Sequence, residues 1–144
     1  ILLPGGSNEG RGFNDRLHDG GTADLGRALR FYDPIFDEMG LDQCWRDSQS
    51  ASWGVVADES IPRFFTGYPF DGARSTVGNG TMTAFLVDSA VKIDLLYDIA
   101  LRNGGFDEGL PGFRPQYGDG FYGAYVRDPD GNKLAFVCYR AERT

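Results

Sequence analysis

Two stretches of this chain carry the same pattern 65 residues apart. Asp24 aligns with Ser89, Leu25 with Ala90, Ala28 with Ile93 and Phe36 with Leu101. Tyr32-Asp33 aligns with Tyr97-Asp98, Gly40 with Gly105, Leu41 with Phe106 and Asp42 with Asp107. In each copy apolar residues recur at spacings of three and four, which lays them on one helix face. The first face is Leu25, Ala28, Leu29, Tyr32, Ile35, Phe36 and Met39. The second is Ala90, Ile93, Leu96, Tyr97, Ala100 and Leu101. Asp24 and Ser89 are the expected N-caps, and Gly40 and Gly104-Gly105 the expected stops. Pro34 falls inside the first pattern. An internal proline removes one hydrogen bond at about 3 kcal/mol, so a kink or a shift of register is expected there, without loss of the helix. A unit written twice in this way cannot bury its apolar face alone, which ties the fold to the packing of two copies.

Strand patterns surround both helices. After the first come Leu41–Arg46, Ser52–Ala57 and Pro62–Thr66. Before the second lies Gly80–Val87, and after it Phe106–Gly109, Phe121–Arg127 and Lys133–Tyr139. The aromatic and β-branched residues in these runs suit strands. Asp128-Pro129-Asp130-Gly131-Asn132 is a strong turn signal between the last two. The 21 glycines, about twice the average usage, fit many turns and oppose a long-helix protein. The expected fold class is α+β: two βαβββ modules forming a cup-shaped, mostly antiparallel sheet with helices outside. The expected division is a flexible arm over residues 1–14, a first module over 15–68, a connector over 69–79, a second module over 80–140 and a tail over 141–144, within one domain overall.

The net charge of −7 leaves no basic stripe for a nucleic-acid backbone. No apolar run approaches the 18 residues of a membrane span, and the opening residues lack the apolar core of a signal peptide. Cys44 and Cys138 are too few for a disulfide framework and form no Cys-x-x-Cys pair, so two buried reduced thiols are expected. A cytoplasmic protein is the expectation. Gly118, Gly120 and Gly123 match Gly-x-Gly-x-x-Gly in spacing but precede a strand, which is the wrong context for a dinucleotide. Neither a Gly-x-Ser-x-Gly elbow nor a P-loop is present.

The modular pattern resembles the vicinal oxygen chelate superfamily of glyoxalases, extradiol dioxygenases and bleomycin- and fosfomycin-resistance proteins. Three stretches carry the resemblance: Asp24-Leu25 with Arg30-Phe31-Tyr32-Asp33 and Gly40-Leu41; Gly78-Asn79-Gly80-Thr81 with Ala84-Phe85; and Phe121 through Lys133. The resemblance implies metal ligands, mostly His and Glu, on the first and last strands of each module, where the metal acts as a Lewis acid. Carried over position by position, these fall on Leu17, Met82, Ala135 and Phe64 or Phe65. None is a hard donor, and a lone thioether suits no such metal. His18, the only histidine, lies one residue beyond an expected ligand position, which on a strand is the opposite face.

The resemblance therefore implies a protein without a cofactor, a divalent metal remaining an alternative. It would bind a small molecule in the cup, with flat aromatic ligands suited by stacking, as bleomycin-resistance-type relatives do. The competing expectation is a metal-dependent enzyme, lactoylglutathione lyase-like or extradiol dioxygenase-like, with a displaced site; whether the chain is catalytic stays open. The expected ligand-binding residues are Trp53, Phe64, Tyr68, Met82, Arg114, Tyr122, Tyr125 and Ala135, with Trp45 and Tyr117 as further rim candidates. Arg114, between Phe113 and Pro115, is the expected cationic anchor. The resemblance also implies a homodimer, with Gly67–Asn79 as the hinge if modules are exchanged.

Overall fold

The computed structural model describes residues 17–78 and 80–143; the side chains of residues 17–19 and the arm expected over 1–14 lie outside this description. Each half of the chain has the order strand, helix, three strands. The first comprises β1 (Leu17–Gly21), α1 (Leu25–Glu38), β2 (Asp42–Arg46), β3 (Ser50–Gly54) and β4 (Arg63–Gly67). The second comprises β5 (Thr83–Leu86), α2 (Ala90–Arg102), β6 (Phe106–Phe113), β7 (Tyr122–Arg127) and β8 (Lys133–Cys138). The strands form two four-stranded mixed sheets of matching order, β1-β4-β3-β2 and β5-β8-β7-β6. In each, the first strand runs parallel to the last and the other pairs are antiparallel. The sheets stay open, and no ladder joins them among the described residues.

The helix ends follow the local chemistry. The Asp24 carboxylate accepts from Arg27 N at 3.0 Å and the Ser89 hydroxyl from Lys92 N at 3.2 Å, each satisfying an orphan amide of the first turn. Pro34 sits inside α1 without ending it. The expected faces are buried except at Met39, Ala90 and Leu101, which are only partly covered, and one residue outside them, Phe31, is fully buried. Its ring lies where a Cβ on Gly105 would come within 2.7 Å of it, so the end of α2 covers a second flank of α1. β6 continues four residues past Gly109, through Leu110-Pro111-Gly112-Phe113. It is an edge strand with two irregularities of register, the setting in which a sheet tolerates proline. Of the two cysteines, Cys138 is buried and Cys44 is only half-buried; both are free thiols.

One core spans both modules. Tyr32, Phe36, Trp53 and Phe64 pack with ring centroids 4.9–6.4 Å apart, and Phe85 of the second module meets Phe36 at 5.5 Å and Phe64 at 5.7 Å. Polar contacts reinforce this seam. Asn132 Nδ2 donates to Gly21 O at 2.8 Å, and Asp130 accepts from Thr22 Oγ1 (2.6 Å), Ala23 N (2.8 Å) and Arg27 (2.8 Å). Tyr32 Oη donates to Asp128 Oδ2 at 2.5 Å. The turn 128–132 thus closes a hairpin and also fastens the second module to the first.

Candidate functional site

Alternation along the strands divides the second sheet into two faces. Ala124, Val126, Leu134, Phe136 and Cys138 join the core beneath α2. Ala84, Ala135, Val137 and Phe121 form a separate apolar cluster on the other face, with Leu86 and Tyr125 packed against it. A cavity of about 690 Å³ lies over this second face. Its lining includes Met82, Tyr117, Phe121, Tyr125 and Tyr139, with Arg114, Lys133 and Glu108 as its charged groups.

The loop after β6 gives the cavity a firm wall. Arg114 N donates to Phe121 O at 2.9 Å and Phe121 N to Gly118 O at 3.1 Å, closing a short ring around the 3₁₀ turn Pro115–Tyr117. Tyr117 then meets Phe121 edge to face at 5.3 Å, and Phe121 meets Tyr139 the same way at 5.4 Å. Such pairs hold aromatic rings in defined orientations. Tyr125 projects from β7 beside Ala135, its cross-strand neighbour. The Arg114 Cζ lies 5.8 Å and the Lys133 Nζ 5.6 Å from the Tyr125 ring centroid, both within cation–π range. Burial pushes the Tyr125 hydroxyl above its ordinary range, as do the neighbouring phenols of Tyr117 and Tyr139, against the pull of Arg114. Glu108 is held below the usual carboxylate range by its hydrogen bond from Arg127, at 3.1 Å.

Of the residues expected to bind a ligand, Met82, Arg114 and Tyr125 meet at this cavity. Ala135 is fully buried in the apolar cluster beneath it. Trp53 and Phe64 lie in the central core, Trp53 donating to Asp33 Oδ1 at 2.8 Å. Phe64 and Met82 do share a second, 180 Å³ cavity at the seam, with Tyr32 and Asn132. Tyr68 stands at the start of α1, where its hydroxyl accepts from Leu25 N at 3.2 Å. Tyr122 points to the α2 side and donates to Asp94 at 2.6 Å; burial, then that bond, push its pKa up to about 12. Trp45 is half-exposed on the first sheet, away from the cavity, and Tyr117 is in the cavity wall.

Sequence reasoning missed Phe121, Lys133 and Tyr139. Their signal was alternation: Tyr125, Lys133 and Val137 share one strand face, and the chain ends flanking it bring in Phe121 and Tyr139.

The register refines the positions expected, from the resemblance, to carry metal ligands. Phe65 pairs with Asp19 as Ala135 pairs with Ala84, so Phe65 is the first-module counterpart of Ala135. Leu17 and His18 lie on β1 in register with Arg63 and Phe64; their side chains are outside the described residues. A hydrocarbon, a methyl, a phenyl ring and one thioether do not fit a hard divalent cation. Among the described residues no three His, Cys, Asp or Glu side chains gather where they could hold one.

A two-module α+β fold with open four-stranded mixed sheets and a cavity on one sheet face defines the glyoxalase-like class. Comparison with solved structures places the chain there. It is similar to a glyoxalase/bleomycin resistance protein from Albidiferax ferrireducens T118, with 28% identity, a TM-score of 0.73 and coverage of 85% of this chain and 95% of that one. It is also similar to a glyoxalase/bleomycin resistance protein/dioxygenase family enzyme from Burkholderia phytofirmans PsJN (19%, TM-score 0.67, 86% and 97% covered). A lactoylglutathione lyase from Agrobacterium tumefaciens shares the fold at 19% identity and a TM-score of 0.59, with 85% and 90% covered. Its fold is that of glyoxalase/bleomycin resistance/dioxygenase family proteins, consistent with the vicinal oxygen chelate superfamily. No family model and no curated protein matches it.

Proposed function

We propose that this protein binds a small, flat molecule in the cavity over the second sheet, without drawing on a metal. The observation that carries this reading is the cavity itself: about 690 Å³, walled by Tyr117, Phe121, Tyr125 and Tyr139 and edged by a few polar groups. An apolar concavity with a small number of converging polar groups is the usual form of a small-molecule site, and aromatic walls suit flat ligands by stacking. Among the described residues, none of the first module lines the cavity. Half-exposed Trp45 and the buried Ser52 hydroxyl, which has no hydrogen-bond partner among the described residues, lie opposite each other on the first sheet. A homodimer in which that face approaches the cavity of a second copy accounts for both features, and the setting is read as cytoplasmic. Among the described residues no helix is long and apolar enough to cross a membrane.

The test is a thermal-shift screen with flat aromatic compounds of all charges. A ligand at 100 times its Kd stabilises the folded chain by about 2.7 kcal/mol. At least one compound is expected to raise Tm, and Tyr125→Ala to abolish that rise. No rise with any compound, or a rise indifferent to Tyr125→Ala, overturns the reading. Stoichiometric metal in chelator-free protein with His18 in its coordination sphere overturns the metal-free part. A purely monomeric sedimentation profile overturns the dimer.

A further inference from the structure

The charges around the cavity narrow the ligand class, on the footing of the pocket reading above. Three charged side chains line the wall: Arg114, Lys133 and Glu108. Glu108 is already compensated, since Arg127 holds it at 3.1 Å. Neither Arg114 nor Lys133 forms an ion pair among the described residues. Arg114 donates to the carbonyls of Leu110 at 2.6 Å and Phe113 at 3.4 Å, which fix its guanidinium without neutralising it. The Lys133 ammonium donates to no described protein atom, and both cations lie within 6 Å of the Tyr125 ring centroid. The chain as a whole carries −7. Lys133 also acts at longer range on Glu108, which Arg127 already pairs, so the two cations on one aromatic ring leave the cavity lining net positive against the charge of the whole chain. A neutral ligand leaves both charges partly desolvated and unpaired, and a cationic one is repelled; an anion relieves both.

We propose that the ligand is a flat aromatic anion. Its ring lies against Tyr125 between the Tyr117 and Tyr139 walls, and its anionic oxygens are shared by Lys133 and Arg114. Planar recognition of a carboxylate suits the guanidinium fork, while the ammonium acts as a point charge.

Three probes of one shape and different charge test this: 2-naphthoate, 2-naphthamide and 2-naphthylmethylammonium, titrated calorimetrically at low ionic strength, where screening is weakest. The expected order is 2-naphthoate tightest, by about tenfold over the amide, and the ammonium weakest. Lys133→Gln and Arg114→Gln should each remove most of the advantage of 2-naphthoate and leave 2-naphthamide within about twofold of its wild-type Kd. Equal binding of 2-naphthoate and 2-naphthamide, or a preference for the ammonium, overturns the anion assignment while the pocket stands. Equal loss of 2-naphthamide in both variants overturns it too, because the side chains then act on the cavity's shape. Binding of none of the three, with the fold intact by circular dichroism, overturns the pocket reading and the anion with it. Weakening of 2-naphthoate as protein concentration rises means that a second copy fills the cavity instead of walling it, and overturns both.

Discussion

Removing the Asp128 carboxylate should loosen the two modules from each other. Asp128 is 1% exposed and accepts four hydrogen bonds: from Tyr32 Oη (2.5 Å), Asn132 Nδ2 (2.8 Å), Asp130 N (2.9 Å) and Asn132 N (2.9 Å). Asp128→Ala leaves all four donors without that acceptor. Each stranded buried donor costs about 1–3 kcal/mol, less what water and small movements restore. Relief of the buried charge offsets part, so the net loss should be about 3 kcal/mol, in the lower part of the range for broken buried networks. For a domain of this size that is a fall in Tm of roughly 10 °C. Tyr32→Phe removes one charge-assisted bond and should cost about 1.5–2 kcal/mol. In the double variant the phenol has already lost its acceptor, so the losses should fall short of additivity by about 1 kcal/mol. Urea denaturation followed by tryptophan emission measures all three, because Trp53 is buried against Phe36 and reports the shared core. A loss below about 1 kcal/mol for Asp128→Ala at unchanged m, or strict additivity with Tyr32→Phe, would refute the seam as a coupled network.

The same carboxyl gives a pH prediction. Burial, foremost, raises the Asp128 pKa in the fold, although its hydrogen bonds pull it down. The folded chain therefore holds this proton longer than the unfolded chain, and stability from the group falls as pH rises above about 3.9. Wild-type stability relative to Asp128→Asn should decline with pH across that window in denaturation curves; a relative rise would contradict it. Gly105→Ala should destabilise by about 1–3 kcal/mol, since its Cβ would meet Phe31 Cε2 at 2.7 Å and Ala100 O at 2.8 Å. Gly26→Ala, in the first turn of α1 with ordinary contacts, should be neutral or stabilising by up to about 1 kcal/mol, so equal thermal shifts for the two would refute the steric account. Phe64→Leu should lower stability by about 1–2 kcal/mol yet leave 2-naphthoate binding within about twofold, and selective loss of binding would move the site to the seam.

The order of elements was legible because helical and alternating periodicities are local, and because caps such as Asp24 and Ser89 bond within three residues. The doubled pattern and the Asp128–Asn132 turn pointed to the superfamily. Side-chain roles were less legible. Trp53 and Phe64 read as pocket aromatics from composition, but alternation on β3 and β4 turns them under α1. Phe31 lay off the predicted helix face, and only the second module buries it. Met82, Arg114 and Tyr125 were within reach of sequence reasoning; Lys133 and Tyr139 were not, since nothing local says which strand face stays uncovered.

By itself, the sequence determined what depends on spacing and residue type: two helices, their ends and the strand runs. Tertiary structure decided what depends on packing between modules. Helix against helix and ring against ring form the seam, no ladder joins the two sheets among the described residues, and the turn at 128–132 serves as the fastening between halves. That packing leaves one face of the second sheet open, with two cations and four aromatic rings around it. No local propensity records such an arrangement, because its residues come from five separate strands and loops and meet only when the sheet is assembled.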